Sequence, residues 1–345
     1  MNEATGRRRL RLGACLSLTG PYARFGGQAA AGLEGWRRLD GGAEVVVEDD
    51  GGDASRLAAL LPGLAARCDL LLGPYSTRLM RRAATLIGKT GGLLWNHGGA
   101  GDDVQVAAPG HVVSVLAPAS RYAWPFLERL VERGTRAPLW LVEGPGRFGQ
   151  QVCAGAEAAA RALGVETVRA QPDGRAEGAW DLLCAGSFEE DVAAVTAARA
   201  LPRPPRTVCA VAAGVREFGE AVAEPDGILG VAQWFPGRAS APGIGPAEPD
   251  FLAAYRRVTG TPPDYPAVQA AAAAAVAAHC ARTAGGLGRE GLWQAAAELD
   301  CDTLFGAFRI DPLTGAQAGH RTVLVRWTAE GASVGLRPAL DGRRR

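Results

Sequence analysis

Short apolar runs recur along this chain, each bounded by turn or polar residues: "DLLLG" (69–73), "GLLWN" (92–96), "PLWLVE", "DLLCAG" and "TVCAVAAG". They are apolar on both faces instead of alternating. A strand of that kind is buried on both sides, which happens in a parallel sheet covered by helices above and below. The segments between them, such as "SRLAALLPGLAARC", "TRLMRRAATLIGK", "QQVCAGAEAAARALG" and "EEDVAAVTAARAL", carry helical periodicity. Strand–helix alternation over two sheet-sized blocks predicts two α/β lobes with parallel sheets. A length of 345 residues accommodates two domains of ordinary size.

The start of the chain poses a choice. "RRRLRLGAC" has the look of a basic leader ending in a lipidation box, with Cys15 at the modified position. An export signal needs roughly 7–15 apolar residues after its basic region. Only Leu12, Gly13 and Ala14 separate Arg11 from Cys15. The alternation of Leu10, Leu12, Ala14 and Leu16 with Arg9, Arg11, Gly13 and Cys15 predicts a first strand instead, stopped at Thr19-Gly20-Pro21. As written the chain is expected in the cytoplasm; a misassigned start would move it outside the membrane.

Bulk charge removes some function classes. The formal net charge is +1, so the chain has no overall pull toward nucleic acid or anionic lipid. Seven cysteines, an odd number without C-x-x-C spacing, read as buried free thiols of a reducing compartment. Four scattered histidines lack metal-ligand spacing, and no metal or cofactor is expected. The alanine-rich "AVQAAAAAAVAAHCARTAGG" is too weakly apolar for a membrane span and reads as a closely packed helix. After a Pro- and Gly-rich stretch at 230–250, helices are expected at about 249–259, 266–284 and 289–299. "FGAFRID", "TVLVRWTA" and "VGLRP" then read as a β ribbon.

Two motifs invite a nucleotide reading. "ATLIGKT" ends like a phosphate loop, but it closes a helix, whereas such a loop opens one. Lys89 there faces a helix C-terminus. "GPGRFG" (144–149) spells G-x-G-x-x-G after a strand and before a helix. The acidic residue expected about 20 positions later is missing: "ETVRA" ends in Ala170 and Gln171, and Asp173 substitutes poorly. A nucleotide-linked enzyme using this loop is the alternative function; a tight strand-to-helix turn is the simpler reading. "EDDGGD" (48–53) reads as a strand end and a helix cap by Asp53, with Asp49 or Asp50 still able to face a cleft.

Four stretches together carry a resemblance. "LSLTGPYARFGGQAAAGLEGW" looks like the first strand, loop and helix of type I periplasmic binding proteins of the leucine/isoleucine/valine class. "LLGPYSTRLMRRAA" resembles that family's loop after the third strand, "FLAAYRRVTGTPPDYPAVQAAAAAAVAA" its late helix pair, and "FGAFRIDPLTGAQAGHRTVLVRW" its closing ribbon. The resemblance spans about residues 9–340. It implies an α/β fold of two Rossmann-like lobes, three hinge crossings near 117–119, 235–238 and 301–306, and a ligand cleft between lobes. Lobe 1 would hold 9–117 and 237–302, lobe 2 118–236 and 303–340, with residues 1–8 and 341–345 as disordered tails.

The implied function is non-catalytic binding of a small organic solute: amino-acid-like, amide or aromatic acid. The protein would serve an ABC transporter, with its permease as partner, or act as a cytoplasmic solute sensor controlling a regulatory protein. Ligands of open α/β sheets sit beyond the carboxyl ends of strands. The candidates are therefore Tyr22, Tyr75, Ser76, Thr77, Asn96, His97, Gly98, Phe148, Phe188 and Ala213. In the family's amino-acid binders, the third-strand loop holds the ligand carboxylate, a role Ser76 and Thr77 can fill. A hydroxyl in the next loop and an acid in the second lobe hold the ammonium. Those positions here are Ala100 and Ala213, and Phe148 stands where tyrosine is common. A buried ammonium without an anionic partner costs several kcal/mol. The departures therefore favour a neutral or aromatic-stacking ligand, or an anion lacking an amine. Trp95 is balanced between core and pocket.

Overall fold

The computed structural model describes residues 9–134, 137–172, 178–237 and 241–336. The expectations for the tails and for Asp173 lie outside these residues. In chain order the elements are β1 (Leu10–Leu16), α1 (Ala23–Asp40), β2 (Ala43–Asp49), α2 (Ala54–Arg67), β3 (Leu70–Leu72), α3 (Thr77–Thr90), β4 (Leu94–Asn96) and β5 (Val112–Ser114). Next come α4 (Trp124–Glu132), β6 (Leu139–Glu143), α5 (Arg147–Leu163), β7 (Thr167–Arg169), β8 (Asp181–Ala185), α6 (Phe188–Arg199), β9 (Thr207–Ala210), α7 (Phe218–Ala221) and β10 (Leu229–Ala232). The chain continues with α8 (Glu248–Thr259), α9 (Tyr265–Thr283), α10 (Arg289–Ala297), β11 (Cys301–Thr303), β12 (Gly306–Phe308), β13 (Val323–Trp327) and β14 (Ser333–Gly335).

They group into two compact units. The first takes the described residues of Met1–Gly99, Asp103–Leu116 and Ala239–His320; the second takes those of Ala100–Asp102, Ala117–Arg238 and Arg321–Arg345. The first sheet runs β2-β1-β3-β4-β5, parallel throughout. The second runs β14-β13-β10-β9-β8-β6-β7, parallel from β10 to β7 and antiparallel at β13 and β14. Two α/β units with largely parallel sheets are what the doubly apolar runs require.

Packing follows from side-chain alternation on the strands. In the first unit Cys15, Leu71, Leu94 and Val112 meet Leu57, Leu61 and Leu64 of α2 and Leu79, Met80 and Ile87 of α3. Helices α1 and α9 lie against each other and against β1, β3 and β4. The small side chains of the α9 alanines permit that approach, and the helix is buried without a break from Tyr265 through Ala278. In the second unit Trp180, Leu182, Cys184, Val208 and Ala210 pack with Val195 and Ala198 of α6, Phe218 of α7 and Trp327 of β13.

The ends of the segments that leave each unit are tied down inside it by a glutamine. Gln317 donates from Nε2 to the Val115 carbonyl (2.9 Å) and accepts at Oε1 from the Gly319 amide (2.8 Å). In the second unit Gln233 accepts from the Ala117 amide (3.1 Å) and donates to the Ala117 carbonyl (3.2 Å) and the Tyr122 hydroxyl (2.7 Å).

Sequence expectations differ from this arrangement at one small point, residues 100–102, which group with the second unit and not the first, and at two larger ones. Residues 303–320, assigned above to the second lobe, group with the first unit. β12 pairs with β11 in a tight hairpin (Thr303 opposite Gly306) and not with the later ribbon. The following loop is held by Ser114, whose amide donates to the Gly315 carbonyl (3.0 Å). The second difference is β10, unforeseen inside a Gly- and Pro-rich stretch. It fills the position between β9 and β13, where neighbours on both sides supply the pairing that its glycine weakens.

Candidate functional site

The strand-end loops of the first unit are organised by their own polar side chains. Asp49, at the end of β2, accepts from the amides of Leu18 (2.9 Å), Thr19 (3.2 Å) and Gly51 (2.9 Å) and from the Thr19 hydroxyl (2.7 Å). Desolvation opposes its charge, but these donors outweigh it and hold its pKa down to about 2. Asp50 is fully buried; it accepts from the Ser17 hydroxyl (2.6 Å) and the Gly52 amide (2.8 Å), and burial raises its pKa. Asp53 caps α2 through the amides of Ser55 (2.9 Å) and Arg56 (2.8 Å), as its position implied. The acidic run thus shapes the loop after β1.

The loop after β3 carries an aromatic group. The Tyr75 ring stacks on Phe25 of α1 at 4.5 Å and 8°, and Tyr22 stands 6.3 Å away at 48°. All three rings are half-buried. Ser76 follows with φ +81°, a region that side chains rarely adopt. Such a residue costs about 1–3 kcal/mol and persists where its surroundings over-determine it. Here the Ser76 amide donates to the Gly98 carbonyl (3.0 Å), and its hydroxyl accepts from the Leu79 amide (3.4 Å) at the start of α3. Thr77, the first residue of α3, is buried.

The loop after β4 locks against the same place. Asn96 accepts from the amides of Gly98 (3.2 Å) and Gly99 (2.8 Å) and donates to the Gly99 carbonyl (2.8 Å) and the Ser114 hydroxyl (2.8 Å). Every polar atom of the Asn96 side chain is thereby engaged in holding the loop. Gly98 lies so close to Tyr75 that a Cβ would sit 2.8 Å from the Tyr75 Cα. His97 is fully buried, and neither ring nitrogen reaches a partner in hydrogen-bonding geometry. Burial lowers its pKa to about 4, the Gly73 backbone offsetting part of that, so it is neutral at ordinary pH. Trp95 is fully buried and belongs to the core. Ala100, which groups with the second unit, is buried and offers a methyl group.

In the second unit the corresponding loops are apolar and glycine-lined. Gly144 to Gly149 leads from β6 into α5, with Gly146 as the residue before the helix. The Gly144 amide donates to the Ala185 carbonyl (2.9 Å), and a Cβ on Gly149 would sit 2.4 Å from that same oxygen. Two glycines of "GPGRFG", Gly144 and Gly149, are accounted for by this close approach to the end of β8, whereas Gly146 is extended with open space around its Cα. Likewise "GKT" closes α3, with Gly91 as its left-handed cap. Phe148 is half-buried and meets Tyr122 edge-on at 5.4 Å. Phe188 opens α6 behind a capping box made by Ser187 and Glu190. Ala213 lies in a short 3-10 turn (Ala212–Gly214), is fully buried, and its carbonyl accepts from the Trp327 indole N–H (2.9 Å).

Tyr22, Tyr75, Ser76, Thr77, Asn96, His97 and Gly98 therefore share one end of the first unit's sheet, and Phe148, Phe188 and Ala213 one end of the second unit's. Phe25 was not foreseen. Its signal was available, because it lies one helical turn beyond Tyr22, but a phenylalanine early in a helix reads as core. Asp191 also went unnoticed, as the last of three acids in "FEEDV". Among the described residues no group of three His, Cys, Asp or Glu side chains is placed to hold a metal ion, and no helix is long and apolar enough to cross a membrane.

Comparison with known proteins bears on what these loops serve. A family model described as "Periplasmic binding protein" matches residues 9–332. The fold is similar to that of a leucine binding protein, LivK, from Thermotoga maritima, with TM-score 0.79 and 15% identity over 95% of this chain and 98% of that one. It is similar to the branched-chain amino acid transporter substrate binding protein LivJ from Streptococcus pneumoniae, solved with isoleucine: TM-score 0.76, 15% identity, 96% and 100% coverage. It is similar also to an ABC transporter solute binding protein of R. palustris solved with benzoate: TM-score 0.76, 19% identity, 96% of each chain. Comparison with curated proteins returns no match.

Proposed function

The chain belongs to the periplasmic binding protein family, and from that premise we propose that it reversibly binds, without chemistry, a small organic solute lacking a charged amino group, with a planar aromatic carboxylate as the favoured class. The observation that carries this reading is Ala213. At that position the chain has a methyl group packed into the core and a carbonyl already bonded to Trp327, with no carboxylate. An ammonium brought there would lose its hydration with no anion in return, at a cost of several kcal/mol. Ala100 removes a hydroxyl in the same sense. The half-buried Tyr75, backed by Phe25 and flanked by Tyr22, supports a flat apolar ligand, since aromatic pairs gain about 0.5–1.5 kcal/mol beyond area burial. The strained Ser76 and the start of α3 beside it suit a carboxylate. The neighbours include proteins solved with isoleucine and with benzoate, so the fold accommodates both classes of ligand.

The partner that accompanies this role is the permease of an ABC transporter. A cytoplasmic sensor is the second reading. The seven cysteines, all free and five of them buried, favour it because they suit a reducing compartment. Thermal unfolding against benzoate, 4-hydroxybenzoate, leucine, valine, small amides and NAD tests the proposal. A ligand at 100 times its Kd adds about 2.7 kcal/mol. A rise in Tm with the aromatic acids is expected. A rise with leucine or valine alone would overturn the argument from Ala213, and a rise with NAD alone would return "GPGRFG" to the position of an active site.

A further inference from the structure

One buried carboxylate in the second unit touches two of the strand-end loops at once. Asp191 sits in the first turn of α6 and is 2% exposed. Its Oδ2 accepts from the Ala212 amide at 2.8 Å, and the backbone N–H groups of Gly186 and Val211 also favour its charged form. Gly186 leads into Ser187 and Phe188. Val211 and Ala212 lead into Ala213 and Gly214. The group therefore ties the loop after β8 to the loop after β9 from behind, without facing solute itself.

We propose that Asp191 is a positioning residue for solute binding: as a carboxylate it holds the 186–188 and 211–214 loops in the arrangement that binds, and its protonation releases them. This rests on the proposed solute-binding function. The physical reason is the donor set. Every neighbour described above offers an N–H, and a carboxylate accepts from all of them. Protonation removes the charge that strengthens these hydrogen bonds and turns one oxygen into a donor, so the hold on the N–H groups weakens. The loops are then held less tightly while the carboxyl stays buried.

The surroundings place this switch near neutral pH. Burial raises the pKa of Asp191 to about 7, with the backbone donors pulling against it and Glu190 on the same helix adding to the rise. The other titratable groups facing it are thiols: Cys184 on β8, Cys209 on β9 and Cys153 on α5, all raised by burial and neutral in this range. Helix α7 contributes only Glu220, which is exposed. None of the four histidines belongs to the second unit.

The test uses the full chain with benzoate as probe, a carboxylate that stays ionised above pH 6. Titration calorimetry at pH 6, 7 and 8 is expected to give a Kd about tenfold weaker at pH 6 than at pH 8, the factor for a competent form that loses most of its population one unit below the pKa. Asp191→Asn, which does not titrate, is expected to bind weakly and with a flat pH profile. A wild-type Kd constant from pH 6 to 8, or the same slope in the variant, overturns the proposal. Hydrogen exchange of the wild type alone gives an answer independent of ligand and of the variant's folding. Protection of peptides covering 184–190 and 208–215, corrected for intrinsic rates, is expected to fall between pH 8 and pH 6 while that of β10 holds. Unchanged protection overturns the positioning role. If benzoate fails at every pH while protection still falls, the aromatic-acid reading fails and the role of Asp191 stands.

Discussion

The two units hold their strand-end loops by different means. In the first, short polar side chains within the loops do the holding: Asp49, Asp50 and Asn96 together gather donors from Ser17, Leu18, Thr19, Gly98 and Gly99. In the second, backbones press directly on one another at Gly144, Gly149 and Ala185, and two carboxylates of one helix reach in, Glu190 to the Ser187 amide and Asp191 to the Ala212 amide. The first strategy leaves aromatic rings such as Tyr75 to define a surface. The second leaves the half-buried rings of Phe148 and Phe188, with Ala213 packed into the core. The proposed ligand class, flat and without a charged amino group, follows from that difference.

The contrast can be broken most strongly at Gly149. An added methyl would meet the Ala185 carbonyl at 2.4 Å, and both partners are backbone. Gly149→Ala is expected to cost about 3 kcal/mol by urea unfolding, at the upper end for overpacking. Gly98→Ala, whose clash is looser at 2.8 Å, is expected to cost less.

In the first unit the comparable break is Asn96→Ala. It removes bonds to Gly98, Gly99 and Ser114 in a buried loop. Unsatisfied buried groups cost about 1–3 kcal/mol, so a loss of about 2 kcal/mol is expected in urea. Solute affinity should fall with it, because Ser76 loses its seat against Gly98.

Acid should then separate the units by sign. His97 has a folded pKa lowered to about 4, below the ordinary value of 6.5, so its neutral form is the folded one. Its contribution is intact above 6.5 and is lost as pH falls toward 4. Asp191 has a folded pKa raised to about 7 from 3.8, so the folded state binds the proton more tightly than the unfolded chain. Its contribution to global stability grows as pH falls from 7 toward 4, even though loop release, which keeps the carboxyl buried, is favoured by the same proton. Hydrogen exchange of core strands, β3 against β8, between pH 7 and 4.5 checks the opposite slopes. His97→Asn should flatten the first and Asp191→Asn the second. The smallest effect is expected at Asp53→Ala, about 1 kcal/mol for a lost helix cap, with no change in solute binding.

Much of this was readable in advance, and particular residues show why. The runs "DLLLG" and "DLLCAG" became β3 and β8 because a strand buried on both faces needs only apolar residues in sequence. Asp53 was recognisable as a cap from its position before a helical pattern, and "GKT" as a helix end from its context. β10 was obscured, since its glycine and the proline after it mask a strand that exists only because β9 and β13 flank it. β12 and the loop after it group with the other lobe from the one expected, because local sequence reveals a ribbon but not what it pairs with. Asn96 and His97 were named as candidates from their loop. That Asn96 is occupied by its own loop and His97 is sealed in the interior depends on atoms distant in sequence, such as Ser114.

Residue order alone therefore settles the kind of layers the chain forms, the succession of strands and helices, and the lack of polar side chains at Ala100 and Ala213. These follow from periodicity, caps and residue identity, which act over a few positions. Packing in three dimensions is what sets Phe25 behind Tyr75, holds Ser76 in a strained conformation, commits Gly144 and Gly149 to a backbone approach, and puts Asp191 beneath two loops with its pKa moved to about 7. Burial and hydrogen-bond donation come from neighbours well outside any local window, 21 residues apart for Asp191 and Ala212, and no local pattern in the chain encodes them.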